Sequence, residues 1–143
     1  MTELIYIVGS GRSGSTVIER VLHSAPQVTG VGELHALWRL PMTDLLCACG
    51  QRVPECAFWR GVLEHAGIGS NEIARLAQLE REVVRNVYLV RLGYDLARIR
   101  TDPRLAEFGE LQGRLIAGIG AVDQSEIVLD SSKAGPRAWV LAA

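Results

Sequence analysis

An α/β fold with a parallel sheet and flanking helices is predicted by three observations. Leu4-Ile5-Tyr6-Ile7-Val8 is a short apolar run rich in β-propensity. It passes through the Gly/Ser-rich stretch Gly9–Gly14 into a helical pattern that starts at Ser15. A second apolar run, Ile127-Val128-Leu129, ends in Asp130-Ser131-Ser132-Lys133, and another helical pattern follows. Strand, glycine turn and helix in that order open a sheet whose strands are parallel and buried on both faces.

The elements follow from the amino-terminal end. Leu4–Val8 has apolar residues in consecutive positions, as a strand covered on both faces requires. Val17, Ile18, Val21 and Leu22 share one face of the next helix, and Pro26 ends it. Val28–Val31 reads as a second short strand. Glu33–Leu40 reads as a helix with Leu34, Leu37 and Trp38 on one side, and Pro41 interrupts it. Asp44–Cys47 adds a further turn. Cys47–Glu55 is a loop, and Phe58–Ala66 a short helix closed by Gly67 and Gly69. Ser70 is the N-cap of a long helix reaching Arg100, with Glu72 in its first turn. Asp102-Pro103 breaks that helix, and a second one runs through Val122. Pro136–Ala142 starts the last helix. The arginines at 81, 85, 91, 98, 100, 104 and 114 sit among acids and read as solvated faces.

The chain has 143 residues, which fits one domain spanning 1–143, with a helical stretch over 70–123. Hydrophobic residues make up 48% and charged residues 22%, so the chain can bury a core and is not disordered. A net charge of -1 gives no broad field for nucleic acid or an anionic membrane. Any anionic ligand needs a local site. No apolar run approaches the length of a membrane span or a signal-peptide core, so the expected compartment is cytoplasmic. Three cysteines cannot all pair within one chain, and reduced thiols fit best.

Gly9–Thr16, GSGRSGST, is the most informative segment. The first N–H groups of a helix lack intrahelical partners, and the macrodipole makes that end positive. Glycines let backbone approach an anion, and Arg12 offers a bidentate cationic fork. Ser13, Ser15 and Thr16 add hydroxyl donors. The nucleoside-triphosphate loop G-x-x-x-x-G-K-[ST] is nearly met by Gly9 and Gly14, but Ser15 stands where its lysine belongs. The dinucleotide pattern G-x-G-x-x-G is formally present at Gly9, Gly11 and Gly14, with Glu33 as the acidic residue further on. A nucleotide- or dinucleotide-binding enzyme therefore remains an alternative, as does a non-catalytic anion-binding remnant.

Arg12-Ser13-Gly14-Ser15-Thr16 resembles the 5′-phosphosulfate loop of the PAPS-dependent sulfotransferase family, which has a basic residue followed by Ser-Gly-Thr-Thr. The strand ending in Asp130-Ser131-Ser132-Lys133, and the stretch Cys47-Ala48-Cys49-Gly50…Cys56-Ala57-Phe58-Trp59, resemble bacterial members. The resemblance implies a sulfotransferase fold, with a P-loop-like parallel sheet. It implies 3′-phosphoadenosine 5′-phosphosulfate (PAPS) as co-substrate, held by Gly11, Arg12, Ser13, Gly14, Ser15 and Thr16. The expected activity is sulfuryl transfer to a hydroxyl or amine on a small-molecule, carbohydrate, lipid or peptide acceptor. Arg12, Glu33 and Lys133 are its implied catalytic residues: Glu33 takes the acceptor proton and Lys133 stabilises the transferring group. His35 is the alternative base, or a solvated helix residue. Asp130 and Ser131 position Lys133 or touch the acceptor. The helices of 70–123 form an acceptor-side insertion in this reading.

That chemistry needs no metal. The spacing C-x-C-x6-C matches no usual zinc pattern, so Cys47, Cys49 and Cys56 are expected to be structural thiols or an occasional disulfide. Phe58 and Trp59 are core or pocket lining. The family's later Arg-Asp-Pro-Arg type segment, which binds the 3′-phosphate, has no counterpart after Lys133. Thr101-Asp102-Pro103-Arg104 lies before the second apolar run, and the role is not carried onto it. A sequence incomplete at its carboxyl end is the expectation.

Overall fold

The computed structural model describes residues 2–143. Strand β1 (Glu3–Val8) leads through the glycine loop into helix α1 (Ser15–His23), then β2 (Val28–Gly30) and α2 (Ala36–Arg39). After a 3-10 turn at Met42–Asp44 come α3 (Ala57–Ala66), α4 (Ser70–Glu82), α5 (Asn86–Arg91), α6 (Leu96–Thr101) and α7 (Pro103–Asp123). The chain then returns as β3 (Ile127–Lys133) and α8 (Gly135–Ala142). The sheet order is β1-β3-β2, and both pairings are parallel. The α/β class and the parallel sheet agree with the sequence.

β3 is the central strand, and Val128, Leu129 and Asp130 on it are all buried. It runs four residues past the expected end at Leu129, into the polar tetrad. Between the pairs Tyr6↔Asp130 and Val8↔Lys133 the register slips, leaving one extra residue on β3. Such a bulge turns the following side chain.

The single helix expected from Ser70 to Arg100 is instead three. Val83 and Val84 leave helical geometry and are buried in the core near the start of α5. Gly93 (φ 67°) and Tyr94 (φ 51°) reverse the chain after α5. Asp95 then caps α6 by accepting the Ala97 and Arg98 N–H groups. Gly69, not Ser70, is the N-cap of α4, and its N–H donates to Glu72 Oε2 at 2.9 Å. The Glu33–Leu40 helix shrinks to α2, with residues 33–35 forming the turn that leads in.

The main core lies among the helices. Phe108, Leu115 and Ile119 of α7 pack with Val62, Leu76, Leu79, Leu89 and Ile99. A Cβ on Gly118 would lie 2.8 Å from the Val62 carbonyl, so glycine there lets α3 and α7 approach closely. Arg114 is not a solvated residue, since its Nε donates to the Ala66 carbonyl at 2.8 Å and caps α3. The apolar face of α1 points outward: Val17 is 65% exposed and Val21 64%. The residues that α1 buries are Ser15 and Glu19. No helix among the described residues is long and apolar enough to cross a membrane.

Candidate functional site

The loop from Gly9 to Gly14 is exposed and joins the end of β1 to the first turn of α1. Gly14 adopts φ 80°, which only glycine takes without strain, and its carbonyl accepts the Val17 and Ile18 N–H groups. The Ser15 and Thr16 N–H groups have no intrahelical partner; Thr16 is exposed and Ser15 buried. Arg12 has φ 62°, and none of the ion pairs among the described residues involves it.

The Gly9 N–H donates to the Lys133 carbonyl at 3.4 Å, so the loop starts against the residue that ends β3. Lys133 has φ 65°. Holding a side-chain-bearing residue there costs on the order of 1–3 kcal/mol, and such strain clusters at functional sites. The bulge and this turn aim Lys133 Nζ at Glu33 Oε1, with which it forms an ion pair. The Lys133 hydrogen bond is the main reason the Glu33 carboxyl titrates below its ordinary value. His35 Nε2 lies 3.6 Å from Glu33 Oε2. Burial, then the Arg137 and Arg39 charges, push the His35 pKa down to about 4. The imidazole is therefore neutral at physiological pH, and this contact is not an ion pair.

Asp130 and Ser131 are buried and hydrogen-bonded within the fold. Asp130 is fully buried, and Oδ1 accepts the Leu34 N–H at 3.2 Å and the Ser132 N–H at 2.8 Å. Burial raises its pKa. Ser131 Oγ donates to Glu19 Oε2 at 2.5 Å. Glu19 Oε1 accepts the Gly32 N–H at 2.5 Å. One buried carboxylate thus ties α1 to β3 and to the turn before Glu33. Sequence reasoning missed Glu19, because a lone acid on an amphipathic helix gives no signal of facing inward. It also missed the cluster of Glu80 with Trp38, Arg39 and Arg137. Trp38 Nε1 and Arg39 Nε each donate to Glu80 Oε2 at 2.9 Å. Arg137 Nη2 pairs with Oε1, and its guanidinium carbon lies 5.0 Å from the Trp38 ring centroid.

A cavity of about 510 Å³ opens beside these groups. Thr16 and Glu19 of α1, Glu33, and then Cys47, Phe58 and Trp59 are among its walls. Every lining residue precedes position 60, so the helices of 70–123 contribute none. Arg12, Ser13 and Lys133 lie outside it, and Thr16 is the loop's contribution.

The cysteine loop forms the far wall. An isolated antiparallel bridge between Leu46 and Arg52 closes it, with Gly50 at φ 84° in the turn. Cys47, Cys49 and Cys56 converge, their sulfurs all within 4.8 Å of one another. Cys56 is the residue before α3. Burial raises its thiol pKa, but the Trp59 N–H, the neighbouring thiols and the Phe58 N–H outweigh burial and the net shift is down. Burial holds the Cys47 thiol above its ordinary value. Comparison of the chain with protein-family descriptions, curated proteins and solved structures gives no match.

Proposed function

We propose that this chain carries the donor-binding part of a PAPS-dependent sulfotransferase. The observation that carries the reading is convergence at one end of the sheet: the Gly9–Thr16 loop, Glu33 and Lys133 meet there through the Gly9–Lys133 hydrogen bond and the Lys133–Glu33 ion pair. Ligands of open parallel sheets bind outside these carboxyl strand ends.

In this reading Arg12 and the N–H groups of the first turn of α1, where Thr16 is exposed, hold the 5′-phosphosulfate. The acceptor sits in the cavity bordered by Glu33. Its hydroxyl oxygen or amine nitrogen attacks sulfur, and the bond from sulfur to the 5′-phosphate oxygen breaks. The acceptor proton passes to Glu33, and adenosine 3′,5′-bisphosphate leaves. Donor charge draws Lys133 off Glu33 toward the transferring group, which raises the basicity of Glu33 as it is needed. His35 does not line the cavity that Glu33 borders, so it is the less well placed of the two bases.

The dinucleotide alternative fits less well. Doubly wound dinucleotide folds set the first strand beside the second, whereas β3 separates them here. Their third glycine also serves close helix–strand packing, yet a Cβ on Gly14 would meet nothing within 4 Å. The test is thermal unfolding of the chain with adenosine 3′,5′-bisphosphate, ATP or NAD, repeated with Arg12→Ala. Stabilisation by the bisphosphate that is lost in Arg12→Ala supports the reading. Stabilisation by ATP or NAD without the bisphosphate overturns it.

A further inference from the structure

We infer that Cys47, Cys49 and Cys56 form a three-thiolate site for zinc, with its fourth position filled by solvent. The sequence spacing lacks the paired ligands of a usual zinc motif, but the fold supplies what the spacing does not. The bridge between Leu46 and Arg52 folds the loop back on itself, and the Cys47 N–H donates to the Gln51 carbonyl at 2.8 Å. Val53 and Cys56 are buried against the core, which fixes the second arm.

The sulfur geometry suits a metal better than a disulfide. Cys49 Sγ and Cys56 Sγ are 3.6 Å apart. Two sulfurs on a tetrahedral zinc, each about 2.3 Å from the ion, are separated by about 3.8 Å. A disulfide needs about 2.05 Å. The third thiol lies within the same 4.8 Å envelope, so small rotations bring all three to a common centre. Cys49 is exposed, Cys47 half-buried and Cys56 buried, which leaves one side of the cluster open to solvent. Three protein ligands with water in the fourth position is a standard zinc arrangement.

Cys47 also lines the cavity beside Glu33. A metal there adds a tie to a loop already folded by the Leu46–Arg52 bridge and anchored by buried Val53 and Cys56, and so fixes the cavity wall. This site stands on its own observations and does not depend on what the Gly9–Thr16 loop binds.

The test uses the whole chain, reduced with a phosphine, exposed to zinc sulfate alone and then desalted. The expected result is one zinc per chain and protection of all three thiols from maleimide. Loading with cobalt(II) instead should give thiolate-to-metal charge-transfer absorption with the visible bands of a tetrahedral ion. Cys49→Ser, at an exposed position, should lose stoichiometric zinc with an unchanged unfolding temperature in the metal-free state. The proposal is overturned if the wild-type chain retains no zinc, if the thiols react equally fast with and without zinc, or if Cys49→Ser and Cys56→Ser retain as much zinc as wild type. The wild-type measurements stand even if Cys56→Ser fails to fold.

Discussion

Lys133 Nζ donates to Glu33 Oε1 across the ends of the neighbouring strands β3 and β2, joining residues a hundred positions apart. The bond depends on a backbone turn at Lys133 with φ 65°, so the pairing is built into the strand end and not left to a mobile surface lysine. It lowers the Glu33 pKa, chiefly through the Lys133 hydrogen bond. A carboxyl with a depressed folded pKa adds stability above its unfolded pKa and loses it as pH falls through the folded value. On the proposed function, the acid limb of kcat/KM, which reports the free chain, should accordingly lie below the ordinary carboxylate range. In Lys133→Met that limb should move up, as should the Glu33 carboxyl titration followed by NMR. An unmoved titration would remove the coupling.

Glu33→Gln should retain adenosine 3′,5′-bisphosphate binding and lose about 10²- to 10⁴-fold in transfer rate, the usual contribution of a general base. Transfer from radiolabelled PAPS to a screened acceptor measures the rate, and calorimetry the binding. Equal rates for Glu33→Gln and wild type would exclude Glu33 as the base.

Arg12→Ala should weaken bisphosphate binding by about 10- to 100-fold, as expected for one charge-assisted contact. Arg12 is exposed and makes no ion pair among those described, so its removal should leave the unfolding temperature of the free chain unchanged. Titration of both proteins separates the two effects.

Glu80 holds α2, α4 and α8 together through Trp38, Arg39 and Arg137. Burial raises its pKa, but the Arg39 and Arg137 contacts more than offset this and the net shift is down. Its contribution is therefore present at neutral pH and fades as the solution is acidified through the folded pKa. Glu80→Gln leaves the fully buried Arg137 without its counter-charge, and about 3–5 kcal/mol of stability should be lost. Urea unfolding at neutral and acid pH should show that difference shrinking at the acid end.

Gly30→Ala would place a Cβ 2.9 Å from Glu19 Oε1 and 3.1 Å from its Cγ. The carboxylate must move, and its bonds to the Gly32 N–H and Ser131 Oγ loosen. A loss of about 1–3 kcal/mol is expected. In a Glu19→Ala background the same substitution should cost less, and a double-mutant cycle measures the coupling. Additivity would show that Glu19 does not transmit the effect.

The sequence by itself determined the parts of this protein that rest on local pattern. Period and glycine placement located β1, the loop before α1, the short helix closed by Gly67 and the break at Asp102-Pro103. Arg12, Glu33 and Lys133 were singled out together by the resemblance of the loop and of the Asp130–Lys133 tetrad to the sulfotransferase family. Tertiary structure decided what depends on contact between distant segments. Periodicity does not report that Val83 and Val84 must turn inward, so one expected helix became three. It does not report which face of α1 is covered, because the inward residue is Glu19, chosen by its partners Gly32 and Ser131. Nor does spacing along the chain reveal that the Leu46–Arg52 bridge gathers three thiols, or that a bulge in β3 turns Lys133 onto Glu33. Those outcomes are set by burial and by hydrogen bonds between segments, within the cysteine loop as well as across the sheet, which residue spacing does not encode.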